Sequence, residues 1–347
     1  MGLINRAAAF GAAMVVACAS HAQGLKAVEV IVFPGGYNWP IWVAQEKGLF
    51  AKNGIEVKLT PTPNSVYQLS NLIDGKFDIA MTAIDNLIAY REGQGEAPKL
   101  GPDLFAFMGS DNGFLRLVTV PEVKTFADLR GKEVSVDALT TGYAFVLLEI
   151  LERNGLMKDR DYATPAAGGV LQRFQQLMEK KHAGTLLLSP FEVQAEARGF
   201  NRLANAIDVL GRYQGLVGGA RKSWANANRA TVVGYIRAYA EAVDWLYAPA
   251  NREEAIAIFV RNLPQAGRPT AEIAYGVLLS PTDRVPEAGA DRPRGRKDRA
   301  AIAFEIWPAA EIAHRSKPVL RRQLLRRGNK AIGRVRFSLR NGLFRAD

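Results

Sequence analysis

The sequence has little of the chemistry on which many enzymes and metal proteins rely. It holds one cysteine, Cys18, and three histidines among its 347 residues. A single cysteine allows no disulfide within the chain, and so few histidines argue against a histidine-based catalytic triad or a zinc site. We therefore expect a protein that is not an enzyme, with no metal and no cofactor.

Long hydrophobic runs are also scarce. Residues 7–19 are apolar but too few to span a bilayer, and they follow a positively charged start. Ser20 and Ala22 supply the small residues that a signal peptidase reads, so we interpret residues 1–22 as a cleaved signal peptide of an exported protein. In a second interpretation, residues 15–18 are a lipoprotein cleavage box, and Cys18 is lipidated and anchors the protein.

Positive charge is concentrated near the C-terminal end. Residues 285–347 contain 16 Lys and Arg against 6 Asp and Glu, whereas the rest of the chain contains 29 against 28. We interpret this atypical Arg-rich tail as a frameshift, because Arg, Ala, Gly and Pro dominate out-of-frame translations of GC-rich genes. The alternatives are a solvated tail and a surface for nucleic acid or anionic lipid. An exported protein meets little nucleic acid, so we expect no nucleic-acid partner.

Strands and helices alternate in the first part of the chain. β-rich runs at residues 28–33, 55–59 and 77–81 are separated by helical segments at 41–50 and 65–74. Strands and helices of this length, in this order, predict right-handed βαβ units and a mainly parallel sheet, hence an α/β fold. Small ligands bind such sheets beyond the carboxyl ends of the strands.

About 325 residues remain without the leader, more than one hydrophobic core usually occupies, so we expect two lobes. The apolar strand at 104–109 ends at the polar residues 110–113, which predict a crossing into a second lobe. On this basis lobe 1 comprises residues 24–108 and 223–284, and lobe 2 comprises residues 109–222.

Several short segments resemble one family. Residues 44–50, 55–57, 74–80, 126–132 and 220–224 resemble the periplasmic substrate-binding proteins of ABC transporters that handle sulfonates, taurine, nitrate and thiamine pyrimidine precursors. The resemblance implies a two-lobed type II periplasmic binding protein fold with a hinge that closes on a small-molecule ligand. It also implies a monomer that works with an ABC transporter permease in the inner membrane. The Arg-rich tail departs from the family pattern.

The resemblance also indicates which loops hold the ligand. They follow strands in both lobes, where backbone amides and polar side chains face a cleft. The residues at the corresponding positions are Tyr37, Asn38, Trp39, Asn64, Ser65, Thr82, Asp85, Asn86, Thr140, Thr141, Gly142, Tyr143, Gly168, Gly169 and Ser189.

Two of these candidates, Trp39 and Asp85, leave alternatives open. Tyr37 and Trp39 are suited to stacking on a planar ring, but Trp39, like Trp42, fits equally as a core residue of the first helix. Asp85 is either the N-cap of a helix or a cleft carboxylate, and in the cleft it would favour an amine or amidine-like ligand over a bare sulfonate. Arg116 is the nearby cation that would reverse this preference.

We therefore predict an exported solute-binding receptor of an ABC importer. It would capture a small organic nutrient, either a thiamine-precursor-like heterocycle or a sulfonate, between its two lobes. The alternative is an enzyme on the same fold, such as a pyrimidine-precursor synthase or a small dehydratase. Such an enzyme would need an acid, a base or a nucleophile in the cleft, where Asp85 has no histidine or cysteine beside it.

Overall fold

The computed structural model describes residues 24–111, 113–140, 143–211 and 214–279. The predicted signal peptide, the predicted site residues Thr141 and Gly142, and the Arg-rich tail lie outside the described residues. None of the helices in the described ranges combines the length and the apolar character needed to cross a membrane.

Ten strands form two five-stranded sheets within the described ranges. The first sheet has the order β2-β1-β3-β10-β4, and the second has the order β7-β6-β8-β5-β9, where the numbers follow the chain. The strands are β1 Lys26–Val32, β2 Ile55–Pro61, β3 Ile79–Ala83, β4 Leu104–Gly109, β5 Arg116–Thr119, β6 Lys132–Ser135, β7 Tyr162–Ala163, β8 Gly184–Leu187, β9 Asn201–Asn205 and β10 Leu216–Arg221.

Each sheet contains one strand that runs against the other four. In the first sheet β10 is antiparallel to β3 and β4, while β1 pairs in parallel with β2 and β3. In the second sheet β5 is antiparallel to β8 and β9, while β6 pairs in parallel with β7 and β8. The antiparallel strand in each sheet is the one that the chain enters after crossing from the other sheet. The predicted α/β fold with mainly parallel sheets is confirmed.

Helices cover the faces of both sheets. They are α1 Trp39–Glu46, α2 Leu49–Lys52, α3 Ser65–Ile73, α4 Ile84–Arg91, α5 Ala144–Arg153, α6 Val170–Met178, α7 Phe191–Glu196, α8 Ala206–Leu210, α9 Lys222–Ala227, α10 Arg229–Tyr247, α11 Arg252–Asn262 and α12 Gly267–Leu278.

Apolar periodicity accounts for most of these elements. Apolar residues at helical spacing form α9 and α10, and α10 packs on α1 and α2 beside the first sheet. The helix predicted over residues 41–50 is divided into α1 and α2, because Gly48 adopts a φ of 66° between them. Two short strands, β7 and β9, and the helix α7 were not predicted, because each is short and carries a weak apolar pattern.

The chain crosses between the sheets twice, and Asp111 ties the two crossings together. Its carboxylate accepts hydrogen bonds from the amides of Gly113, at 2.7 Å, and Leu216, at 2.9 Å. A Cβ at Gly215 would lie 2.1 Å from Asp111 Oδ1, so only glycine fits there without a shift. The first crossing lies where the polar residues 110–113 predicted it.

The second crossing lies earlier in the chain than the sequence suggested. We had placed residues 109–222 in lobe 2, but β10 pairs with β3 and β4 of the first sheet. Apolar alternation identifies a strand without indicating which sheet it joins. We propose that lobe 1 comprises residues 24–109 and 216–279, that lobe 2 comprises residues 116–210, and that the segments between them are the two crossings.

Candidate functional site

The loops at the carboxyl ends of the strands face each other across a cleft between the two lobes. Backbone groups meet directly there. The Gly36 amide, after β1, donates to the Ser189 carbonyl, after β8, at 2.9 Å. The Gly169 amide, before α6, donates to the Pro63 carbonyl, after β2, at 2.8 Å. The lobes therefore touch in this structure, and the cleft is closed.

Two carboxylates, one from each lobe, accept hydrogen bonds across the same cleft. Asp137, after β6 in lobe 2, accepts from the Ser65 amide at the start of α3 in lobe 1, at 2.9 Å. Asp85, in the first turn of α4 in lobe 1, accepts from the Tyr143 amide at the N-cap of α5 in lobe 2, at 2.8 Å. Because helix N-termini carry unpaired amides and a partial positive charge, they stabilise these carboxylates.

A small cavity remains between the lobes at this point. Its volume is about 20 Å³, close to what a single water molecule needs. A larger solute therefore enters only when the lobes separate. Both lobes contribute to its lining, which consists of Phe33, Tyr37, Ala83, Asn86, Asp137, Tyr143, Val170, Arg173, Leu188 and Leu216.

Arg173 brings a buried cation to this cavity. Its side chain is 3% exposed, and its nitrogens donate to Thr185 Oγ1 at 3.0 Å, the Gly168 carbonyl at 2.8 Å and the Leu186 carbonyl at 3.2 Å. Burial lowers the pKa of its guanidinium, and the charge of Asp137 partly offsets this effect. Three neutral oxygens hold the guanidinium in place, so it stays beside the cavity.

Burial also shifts the acidic groups. It raises the pKa of Asp85 to about 7, against the hydrogen bonds that Asp85 accepts from the amides of Tyr143 and Asn86. Burial likewise raises the pKa of Asp137, although Arg173 and the bond from Ser65 act in the opposite direction. Asp85 and Asp137 repel each other when both are charged. The closed cleft therefore favours the protonated form of these acids.

Tyr37, Asn86 and Tyr143 are the predicted site residues that line the cavity. The Tyr37 hydroxyl donates to the Pro34 carbonyl at 2.9 Å. The Asn86 amide group donates to Thr82 Oγ1 at 2.8 Å, so buried Thr82 supports the cavity wall from behind. Tyr143 has a φ of 67°, a conformation that residues with a Cβ rarely adopt.

Other predicted residues shape the loops around the cleft without lining the cavity. Asn38 donates to the Phe33 carbonyl at 2.7 Å, and Asn64 caps α3 by accepting from the Tyr67 amide at 2.7 Å. Five more predicted residues lie in these loops. Ser65, Gly168, Gly169 and Ser189 have the backbone contacts described above, and Thr140 is partly buried.

Trp39 lies away from the cleft. It is 1% exposed, its indole nitrogen donates to the Ala255 carbonyl at 3.0 Å, and its ring lies 4.5 Å from that of Phe259. The structure therefore places Trp39 in the core between α1 and α11, which is the alternative left open by the sequence. Trp42 packs on the same Phe259 ring at 5.9 Å, as expected for a core residue.

Replacing Trp39 with alanine should lower the free energy of unfolding by about 3–5 kcal/mol, because it leaves a large cavity and removes the indole hydrogen bond to the Ala255 carbonyl. Urea unfolding measures this loss. The cavity between the lobes should keep its lining, since Trp39 is not part of it. A variant of normal stability would show that Trp39 does not support the core.

Sequence reasoning missed Asp137 and Arg173. Asp137 lies just after β6, at a position expected for ligand-binding groups. The segment that follows β6 holds several other polar residues, and the prediction chose those instead. Arg173 lies in the middle of α6, among Val170, Phe174 and Leu177, which are spaced along one helical face. A cation within an apolar stripe was the available signal. Arg116, considered as the cleft cation, is buried but does not line the cavity.

The described residues include no group of three or more histidine, cysteine, aspartate or glutamate side chains placed to hold a metal ion. Two α/β lobes joined by two crossings, with a closed cleft at the strand ends, define the periplasmic-binding-protein fold. Residues 21–260 match the model of the NMT1-like family, so the chain belongs to that family. No curated protein sequence matches the chain.

Solved structures share the fold at low sequence identity. A protein of Bordetella bronchiseptica is 18% identical, with a TM-score of 0.64, over 82% of this chain and 89% of its own. The alkanesulfonate-binding protein SsuA of Xanthomonas axonopodis pv. citri, bound to MOPS, is 16% identical, with a TM-score of 0.62, over 85% of this chain and 95% of its own. The periplasmic nitrate-binding protein NrtA of Synechocystis is 16% identical, with a TM-score of 0.61, over 68% of this chain and 66% of its own. The predicted resemblance is thus confirmed for family and fold.

Proposed function

We propose that this protein is an exported solute-binding receptor of an ABC importer, which captures a small organic nutrient between its lobes and delivers it to an inner-membrane permease. The observation that carries the proposal is the cavity between the lobes, where Tyr37 of lobe 1 and Tyr143 of lobe 2 face the same space. A solute that touches both lobes shifts their equilibrium toward the closed state. Structural neighbours that bind alkanesulfonate and nitrate support the receptor class.

The charges at the cavity favour an amine-bearing heterocycle over a sulfonate. Asp85 and Asp137 bring two acidic groups to the cleft, whereas Arg173 brings one cation. A basic or amine-bearing solute would pair with a carboxylate and favour its charged form, whereas a sulfonate would be repelled by each carboxylate that is charged. The rings of Phe33, Tyr37 and Tyr143 offer apolar surface to a planar solute.

The rival proposal is an enzyme on the same fold, and the pKa of Asp85 gives it some support. A carboxyl group with a pKa of about 7 suits general acid–base catalysis. Both Asp85 oxygens, however, accept backbone hydrogen bonds, one from Asn86 and one from Tyr143. We therefore favour a receptor that leaves its solute unchanged.

The test is to purify the exported protein from its native host and to release any bound solute for identification by mass spectrometry. The receptor proposal expects one unaltered solute per protein, carrying an amine and a planar ring. A bound sulfonate would support the receptor function but contradict the preference for an amine-bearing solute. Conversion of the released solute during incubation with fresh protein would favour the enzyme, and a protein that never carries or binds a solute would contradict the receptor.

The same preparation tests export. An intact mass that begins after Ala22 supports ordinary signal-peptide cleavage, whereas a lipidated Cys18 supports the anchored form. An uncleaved chain recovered from the cytoplasm would contradict periplasmic export.

A further inference from the structure

Closing the cleft places two acidic groups from opposite lobes in a dry environment. Asp85 is 0% exposed and Asp137 is 4% exposed, and each touches the other lobe through a backbone amide. Separation of the lobes would break these contacts and admit water to both carboxylates. Their solvation therefore changes between the open and closed states.

The closed cleft replaces the lost water with backbone amide hydrogen bonds but, among the described residues, supplies neither acid with an ion pair. Neither Asp85 nor Asp137 forms an ion pair with any cation in the described parts of the chain. Asp137 Oδ1 is buried without a hydrogen-bond partner. Buried carboxylates without a paired cation are costly when charged, and they take up protons instead.

The groups that face the pair act in both directions, while burial is the largest cause that raises the pKa of each acid. Arg173 of α6 favours the charged form of Asp137, and it is the cation at the cavity. Tyr37, after β1, is a neutral phenol because burial raises its pKa, and Tyr143, at the start of α5, also lines the cavity. Tyr90 of α4 is also neutral, and Glu96, which accepts from the Leu139 amide at 2.9 Å, and Asp111 in the crossing add negative charge.

We propose that closure of the ligand-free cleft takes up a proton at the Asp85–Asp137 pair, so that acidic conditions close the lobes and alkaline conditions open them. This inference rests on the lobe movement of the proposed function but not on the identity of the solute. It makes capture and release of the solute depend on local pH.

The direction follows from the pKa of Asp85. In the open state a solvated aspartate has a pKa of about 4, whereas in the closed state its pKa is about 7. The closed state therefore holds more protons between these values, and its advantage is complete below about pH 4 and is lost as the pH rises to 7. The ratio of closed to open protein should fall about 10-fold per pH unit, by a factor on the order of 10³ in total.

Small-angle X-ray scattering of the ligand-free protein between pH 4.5 and 8 tests this linkage. The radius of gyration should increase as the pH rises. Hydrogen exchange at the amides of Ser65 and Tyr143, corrected for intrinsic rates, reports the opening even when the open state is rare. A protein whose opening does not change with pH, or that stays open throughout, would overturn the inference.

Asparagine variants show whether these acids are responsible. D85N replaces the acid by a neutral side chain of the same shape and should lose most of the pH response, and D137N should lose part of it. The matched control is D208N, because Asp208 is exposed on α8 and accepts a hydrogen bond from the Asn205 side-chain amide. If D85N and D137N both follow the wild-type pH profile, the proposal is wrong. A solute bound by such variants would leave the receptor function intact, so the two proposals fail separately.

Discussion

Replacing Arg173 with methionine is expected to destabilise lobe 2 and to weaken solute binding. Methionine matches much of the side-chain length, but it cannot donate to the three buried oxygens of Gly168, Thr185 and Leu186. Losing a buried hydrogen bond of this kind costs about 1 kcal/mol. A total of about 3 kcal/mol would lower the melting temperature by about 6–12 °C. Calorimetric or circular-dichroism unfolding measures the shift.

Arg198→Met is the matched control, because Arg198 is exposed and lies over the Phe174 ring of the same lobe. It should change the melting temperature by less than about 2 °C, since surface substitutions have small effects. If Arg173→Met were as stable as this control, the three hydrogen bonds would not hold the loops of the cleft. Solute content should also fall in Arg173→Met, because the cavity loses its cation.

Local sequence patterns predicted most of the fold. The alternation of apolar runs and turns located β1, β3 and β4 to within about two residues, since burial on both faces of a parallel strand leaves a continuous apolar run. The same pattern could not assign β10 to its sheet. That assignment depends on pairing with β3 and β4, which lie more than a hundred positions earlier in the chain.

The candidate site was predicted less completely than the fold, for a physical reason. Positions that follow strands can be read from the sequence, and this reasoning found Tyr37, Asn86 and Tyr143. Arg173 reaches the cavity from the middle of a helix, and its role depends on the neighbouring β8, to which it donates. Trp39 showed the opposite problem, because its position after β1 fits a ligand contact while its ring packs into the core.

Replacing Gly169 with alanine is expected to hold the lobes apart with little effect on the stability of either. The new Cβ would lie 2.8 Å from the Pro63 carbonyl oxygen across the cleft, a separation that real Cβ atoms essentially never show. Gly169 has a φ of −61°, so alanine adopts its backbone conformation without strain. The Gly169–Pro63 hydrogen bond would be lost on opening, and we expect the closed population to fall at least about 10-fold, equivalent to about 1.4 kcal/mol.

Scattering at acidic pH measures this change, because the wild-type lobes should be closed there. Gly276→Ala is the control, since a Cβ at Gly276 in α12 meets no atom within 4 Å and should leave the lobes closed. A Gly169→Ala protein that scatters like wild type and keeps its solute would show that the lobes accommodate the extra methyl group. An expanded protein with normal unfolding would instead establish that contact between Gly169 and Pro63 limits closure, because the substitution acts only where the two lobes meet.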